Sequence, residues 1–317
     1  MRKRLTLLLA LCLTLPALAQ VNIALVSRDD SNAKHAIAVI ELALDKAGLD
    51  YQLDISSGTL TAARQIQDAL DGTIDIMWAA TTKQTEQQLI PIRVPLYKGL
   101  LGYRVFIIHK DNRHLFADIT DYSQLKSLVF GQGRGWPDTD IMRHNGLTVE
   151  TGTYEGLFLM ADGQRFDAFP RGIHEPWSEV ASRSELELAI DDNLMFVYRM
   201  PFYLFVSPRR PELAEALNTG LTIALEDGSF DTLIMNDPTV QTVMARGNIA
   251  KRRAFALENP NLPAATPVDN PTLWFDPAEL AASAAADKTE QPEQDLLTQS
   301  QDDSATDNHE PQPSDAP

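Results

Sequence analysis

The chain has 317 residues, a formal net charge of −17 and one cysteine. An acidic chain of this kind excludes a nucleic-acid binder, which needs a basic face, and a simple electrostatic membrane binder. The lone Cys12 excludes an internal disulfide, so a large hydrophobic core must hold the fold.

The chain opens on a secretory pattern. Arg2-Lys3-Arg4 is basic, Leu5–Leu15 is apolar, and Ala17-Leu18-Ala19 fits a small-x-small cleavage site. Residues 1–19 therefore read as a signal peptide cleaved after Ala19, which gives a periplasmic protein. The apolar run is too short for a comfortable membrane span. Cys12 lies inside it, so the mature chain has no thiol nucleophile and no cysteine metal ligand.

Short strands and helices then alternate. Val21–Val26 is β-branched and apolar, and Ala33–Gly48 places Ile37, Val39, Ile40 and Leu44 at helical spacing. Tyr51–Ile55 predicts a strand, Leu60–Leu70 a helix, and Ile74–Ala79 a strand with Asp75 inside it. This alternation predicts an α/β fold with a largely parallel sheet, whose ligands sit beyond the carboxyl ends of the strands. Leu100–His109 is a long strand interrupted by Arg104, and Asp121–Lys126 a short helix. Phe130-Gly-Gln-Gly-Arg-Gly-Trp-Pro-Asp-Thr-Asp140 reads as a strand, a Gly-rich turn and a helix start. Pro137 stands at the first helical position and Asp138 and Asp140 in the first turn. The helix runs to about Asn145. Thr148–Gly152 is a strand, Glu155–Ala161 a helix, Phe166–Phe169 a strand that ends in Pro170-Arg171-Gly172, and Ile173–Arg183 a helix. The aromatic run 193–207 is broken by Pro201 into two strand segments. Pro211–Leu225 is an amphipathic helix. Ser229 caps a short one, and Thr239–Ala256 predicts a helix with Lys251, Arg252 and Arg253 late in it. Residues 257–280, with five prolines, read as an extended strap docked by Leu273, Trp274 and Phe275. Residues 281–317 are rich in Ala, Asp, Glu, Gln, Ser and Pro and read as a disordered acidic tail.

The order of these elements resembles the amino-acid-type periplasmic solute-binding proteins, family 3, as a divergent subgroup. The residues that carry the resemblance are Ile74–Arg93 (strand, small residues, Thr, short helix), Pro95-Leu96-Tyr97 and Leu128–Asp140. To these are added Gly163-Gln-Arg-Phe-Asp-Ala168 and Pro211–Asp231 with its Asp-Gly-Ser-Phe-Asp. Over some 215 residues that order is fairly specific, though no single piece is. The resemblance implies a type II fold of two α/β lobes joined by a two-strand hinge. Lobe one is residues 20–103 and 201–256, and lobe two is 104–200. It implies a small polar or anionic solute, amino-acid-like or a carboxylate, bound between the lobes for delivery to a membrane transporter or receptor, by a monomer without cofactor or metal. The alternative is a sensory or scaffold module of the same fold that contacts a protein.

Two departures qualify that implication. Glu86 stands where the family has the arginine that grips the ligand carboxylate, and Arg171 or Gly172 stands near its lobe-two aspartate. Arg171 is then either the bidentate partner of an anion or part of a salt bridge across the cleft. Arg134, Gly135 and Trp136 frame the turn, and Trp136 either stacks on a ligand or packs on lobe two. Ala80 and Thr81 offer backbone or hydroxyl contacts. Tyr97 is an aromatic wall or core. Arg93 replaces the missing arginine or is a surface charge. Catalysis has little support. No histidine pair has metal spacing, and no Gly-x-Ser-x-Gly or phosphate loop occurs. Only His174 with Glu175 offers an acid/base pair, and the chain reads as a non-enzyme.

Overall fold

The computed structural model describes residues 20–275 apart from Asp29 and Thr59. The leader 1–19, the last part of the strap (276–280) and the tail 281–317 lie outside the described residues. No described helix is long and apolar enough to cross a membrane.

The first lobe begins with β1 (Val21–Ser27), α1 (Ser31–Lys46), β2 (Tyr51–Ser57), α2 (Ala62–Asp71), β3 (Ile76–Ala80), α3 (Lys83–Gln88) and β4 (Ile90–Ile92). Helix starts follow the local chemistry: the side chains of Asp30, Thr61 and Thr82 each accept a backbone N–H of the first turn. β1 and β2 pair in parallel over seven residues. Asp75 explains its place in an apolar run, because its carboxylate accepts the Ala24 amide while its own N–H donates to the Ala24 carbonyl. That exchange joins β1 to β3.

The second lobe holds β5 (Tyr103–His109), α4 (Arg113–Ala117), α5 (Tyr122–Leu125), β6 (Val129–Gly133), α6 (Pro137–His144), β7 (Thr148–Gly152) and α7 (Tyr154–Asp162). It continues with β8 (Phe169–Gly172), α8 (Pro176–Ala181), β9 (Leu188–Ile190) and β10 (Leu194–Val197). β5 pairs antiparallel with β8, β9 and β10. β6 and β7 run parallel and reach β8's side through the Phe130–Ala168 bridge. Beyond Pro201 the chain returns to the first lobe. β11 (Phe202–Val206) lies between β3 and β4, antiparallel to both. α9 (Pro211–Glu226), α10 (Ser229–Met235) and α11 (Pro238–Arg246) follow. One core gathers Ile23, Val39, Ile40, Leu204, Leu217 and Phe230, and another gathers Phe106, Phe116, Phe130 and Phe196.

Several expectations need correction. The strand expected at Phe166–Phe169 is β8 at Phe169–Gly172, because Phe166 packs inward on Phe169 while β5 pairs with residues 169–172. The helix expected over Ile173–Arg183 shortens to α8, since Pro176 sets its first turn. Ser229 does not cap α10; Gly228, with φ +77°, holds that position. The helix expected to reach Ala256 stops at Arg246. Asn248 adopts φ 49°, and buried Arg252 folds back to donate to the Gly247 and Asp191 carbonyls. Residues 253–256 form β12 (Arg253–Ala256), parallel to β10. They therefore belong to the second lobe's sheet and not to the first lobe, where the sequence placed them.

The chain crosses between lobes at residues 93–102 and 198–201, and again at 247–252 on the way to β12. At the first two crossings the backbones touch: a Cβ on Gly102 would lie 2.0 Å from the Tyr198 carbonyl oxygen, so only glycine fits. The strap then ties both lobes together. Asn145 of α6 exchanges two hydrogen bonds with the Glu258 backbone. The Asn261 carbonyl accepts the Lys83 amide of α3, while its side chain donates to Asp140 of α6. Trp274 lies on Gly99, donates to the Pro267 carbonyl and stacks under Arg199. Trp274 is buried, so Trp274→Ala is expected to lower stability by about 3 kcal/mol in urea unfolding. A loss within the ordinary surface range of about 0.5 kcal/mol would mean that the strap is not part of the cooperative fold.

Candidate functional site

The polar side chains between the lobes are packed against one another. Arg171 sits on β8 and is 5% exposed. Its Nε donates to Glu179 Oε2 at 2.8 Å and its Nη2 to Glu179 Oε1 at 2.7 Å. Nη2 also lies 2.8 Å from Glu175 Oε1. Burial alone works against the guanidinium charge, but Glu175 and Glu179 raise its pKa above the ordinary arginine value. The rings of Trp136, Phe169 and Tyr154 surround it with centroids 4.9, 5.2 and 5.7 Å away. The Tyr154 hydroxyl donates to Glu179, and burial followed by that carboxylate's charge pushes the phenol pKa up.

Glu175 is shared between lobes. The Asn32 side-chain amide, from the start of α1, donates to Glu175 Oε1 at 2.9 Å. With its NH2 so committed, the Asn32 oxygen accepts from His174 Nε2 at 3.1 Å. His174 stacks on Tyr97, which lies in the first crossing, with centroids 4.1 Å apart. His35 of α1 stacks on the other face of Tyr97 at 4.0 Å. The two ring nitrogens of His35 lie 2.8 Å from an Asp237 carboxylate oxygen and 2.7 Å from the Leu96 carbonyl oxygen. Deeper in lobe two, Arg104 pairs with Asp138 at 2.7 Å, and the Tyr198 hydroxyl donates to the same carboxylate. Arg104 Nη1 lies 3.6 Å from Glu175.

The structure distributes the predicted site residues among five places. Arg171 and Trp136 come together within lobe two. Thr81 and Arg93 meet on Glu86 in lobe one. The Thr81 hydroxyl donates to one Glu86 oxygen at 2.8 Å and Arg93 to the other at 2.6 Å. Tyr97 is buried in the histidine stack rather than exposed as a wall. Arg134 and Gly135 stand exposed in the turn between β6 and α6, Gly135 with φ +80°. Ala80 ends β3 opposite Phe202. A surface cavity of about 430 Å³ lies between Phe158, Leu159 and Leu186, and one of about 200 Å³ lies beside Trp274. Neither is lined by a predicted site residue. No group of His, Cys, Asp and Glu among the described residues is arranged to hold a metal.

The sequence reading did not single out Glu179 or Asn32. Glu179 had a signal: Glu175 and Glu179 follow Arg171 at intervals of four, which a short helix beginning beyond β8 turns back onto the arginine. Arg28 pairs with Asp30 and lies 5.0 Å over the Tyr154 ring, a second contact between lobes.

No protein-family model and no curated protein sequence matches the chain. Solved structures do resemble it. An ancestral arginine-binding protein bound to arginine is 16% identical, with TM-score 0.51, over 69% of this chain and 99% of that one. A histidine kinase sensor domain similar to periplasmic binding proteins is 11% identical, with TM-score 0.51, over 69% and 96%. The fold is that of the two-lobe periplasmic binding proteins. A periplasmic binding protein of Salmonella typhimurium with high arginine specificity shares it at 14% identity and TM-score 0.50, over 67% of this chain and 97% of its own.

Within this periplasmic-binding fold, His174 gives a pH signature. Burial first, then the charges of Arg104, His35 and Arg171, push its pKa down to about 3. The folded protein therefore holds it neutral while the unfolded chain takes up its proton near the ordinary value of about 6.5. Between those values the unfolded state binds more protons, so stability falls as pH falls, by roughly 1.4 kcal/mol per pH unit. Urea unfolding of wild type and His174→Asn from pH 7 to pH 4 is expected to show a steeper loss in wild type. Parallel profiles would rule out a buried neutral imidazole.

Proposed function

We propose that this chain uses the periplasmic-binding fold as a sensory or scaffold module that contacts a protein partner, its cleft held shut by its own side chains. The observation that carries this reading is the saturation of Arg171. A solute carboxylate entering the cleft would have to displace Glu179 from a two-point pairing that is buried and tethered. In lobe one Arg93 is likewise already bound, to Glu86. Asn32 joins the lobes through direct hydrogen bonds with His174 and Glu175. The strap and the crossing to β12 add constraints on hinge motion beyond the two backbone strands expected of the fold. The similarity to a sensor domain of a histidine kinase supports a signalling use of this fold. The secretory pattern of residues 1–19 supports a periplasmic setting for such a module.

A second reading is favoured by the arginine-binding neighbours: binding of a small amino-acid-like solute for delivery to a transporter. In that reading an opened cleft presents Arg28, Arg134, Trp136, Tyr154 and Thr81 to the solute. The two readings separate in a thermal-shift screen of the wild-type chain against amino acids, dicarboxylates, polyamines, sugars and small phosphates. A ligand bound only by the folded state stabilises it by about 2.7 kcal/mol at a hundredfold excess over Kd. We expect no compound to raise Tm, and solute-free X-ray scattering to give the closed form. A saturable rise with one solute class would establish the solute carrier instead.

A further inference from the structure

The surroundings of Arg171 have a chemistry of their own. Three aromatic rings from three segments face one guanidinium: Trp136 before α6, Tyr154 at the start of α7 and Phe169 in β8. Ring faces carry negative potential and attract cations, and guanidinium stacks on them better than ammonium does. At its edge, Glu179 accepts two parallel N–H bonds and Glu175 accepts a third contact. That fork matches a planar guanidinium and no other common cation. The carboxylates are also held by groups other than Arg171. Glu179 is fixed by the Tyr154 hydroxyl. Glu175 is fixed by the Gly172 amide at 2.7 Å and by Asn32. Trp136 and Phe169 stack on each other at 6.3 Å. Box and occupant are thus separable in their bonding, although one chain supplies both.

We propose that lobe two carries a guanidinium-recognition box whose resident ligand is the protein's own Arg171. When that side chain is cut back, the box takes a small alkylguanidinium from solution. The site selects a cation, the reverse of the anion that a lone arginine at this position suggests. Its rings and carboxylates all belong to lobe two, and Asn32 of lobe one helps to hold Glu175.

The test uses the full chain with Arg171→Ala and Arg171→Lys beside wild type. Melting is followed with methylguanidinium, methylammonium, urea and sodium chloride at equal millimolar concentrations. Arg171→Ala is expected to melt well below wild type. Methylguanidinium is expected to raise its Tm saturably, by about 3 °C or more at tenfold excess over Kd. Methylammonium should do less, and urea and sodium chloride nothing. Wild type, with its box full, should not respond. Arg171→Lys keeps the charge but loses the fork, so it should remain below wild type. Equal rescue by methylammonium or sodium chloride would reduce the site to a charge requirement and overturn the proposal. So would an Arg171→Lys protein as stable as wild type. An Arg171→Ala chain that stays unrescued, or fails to fold even when refolded with methylguanidinium, also counts against it.

Discussion

The carboxylate of Glu175 is the group on which the closed arrangement depends. One oxygen accepts from Asn32 in the first lobe and lies against Arg171 in the second; the other accepts the Gly172 amide and faces Arg104. A buried carboxylate is costly unless charge and hydrogen bonds together compensate for the water it has lost. Here they do, and the compensation comes from both lobes. The same residue precedes α8, so the geometry that turns the chain out of β8 also aims the carboxylate.

From this group the charges alternate. Arg104 passes to Asp138 and Tyr198, and Arg171 passes to Glu179 and Tyr154. Each cation lies between acids and each acid beside a cation, in a region almost without solvent. A network of this kind is stabilising only when complete, because removing one member leaves a buried charge unpaired. That is a reason for such a site to favour one arrangement of the lobes.

Much of the fold was legible in the sequence because it rests on local rules. Pro137 opens α6, and Pro201 separates β10 from β11. What could not be read depends on partners distant in the chain. Residues 253–256 carry no strand pattern of their own and are a strand because β10 offers them an open edge. The candidate site was legible as a set of residue types and not as a set of bonds. Arg171, Trp136, Thr81 and Arg93 stand out in the sequence, but nothing local states that Glu179 and Glu86 already hold the two arginines. The spacing of Glu175 and Glu179 after Arg171 was the one local hint. It becomes informative only once α8 is known to fold back over β8.

The position of β11 also has a bearing on how the molecule is made. β11 is the middle strand between β3 and β4, yet nearly a hundred residues of the other lobe are synthesised between β4 and β11. The second lobe's sheet in turn waits for β12, whose residues follow all of α9 to α11. Neither lobe is a contiguous stretch that finishes folding as it emerges, so the early strands must wait for late partners. The high sequence separation of these pairings predicts slow folding. It also means that the molecule cannot be divided into independently expressed halves at any single cut.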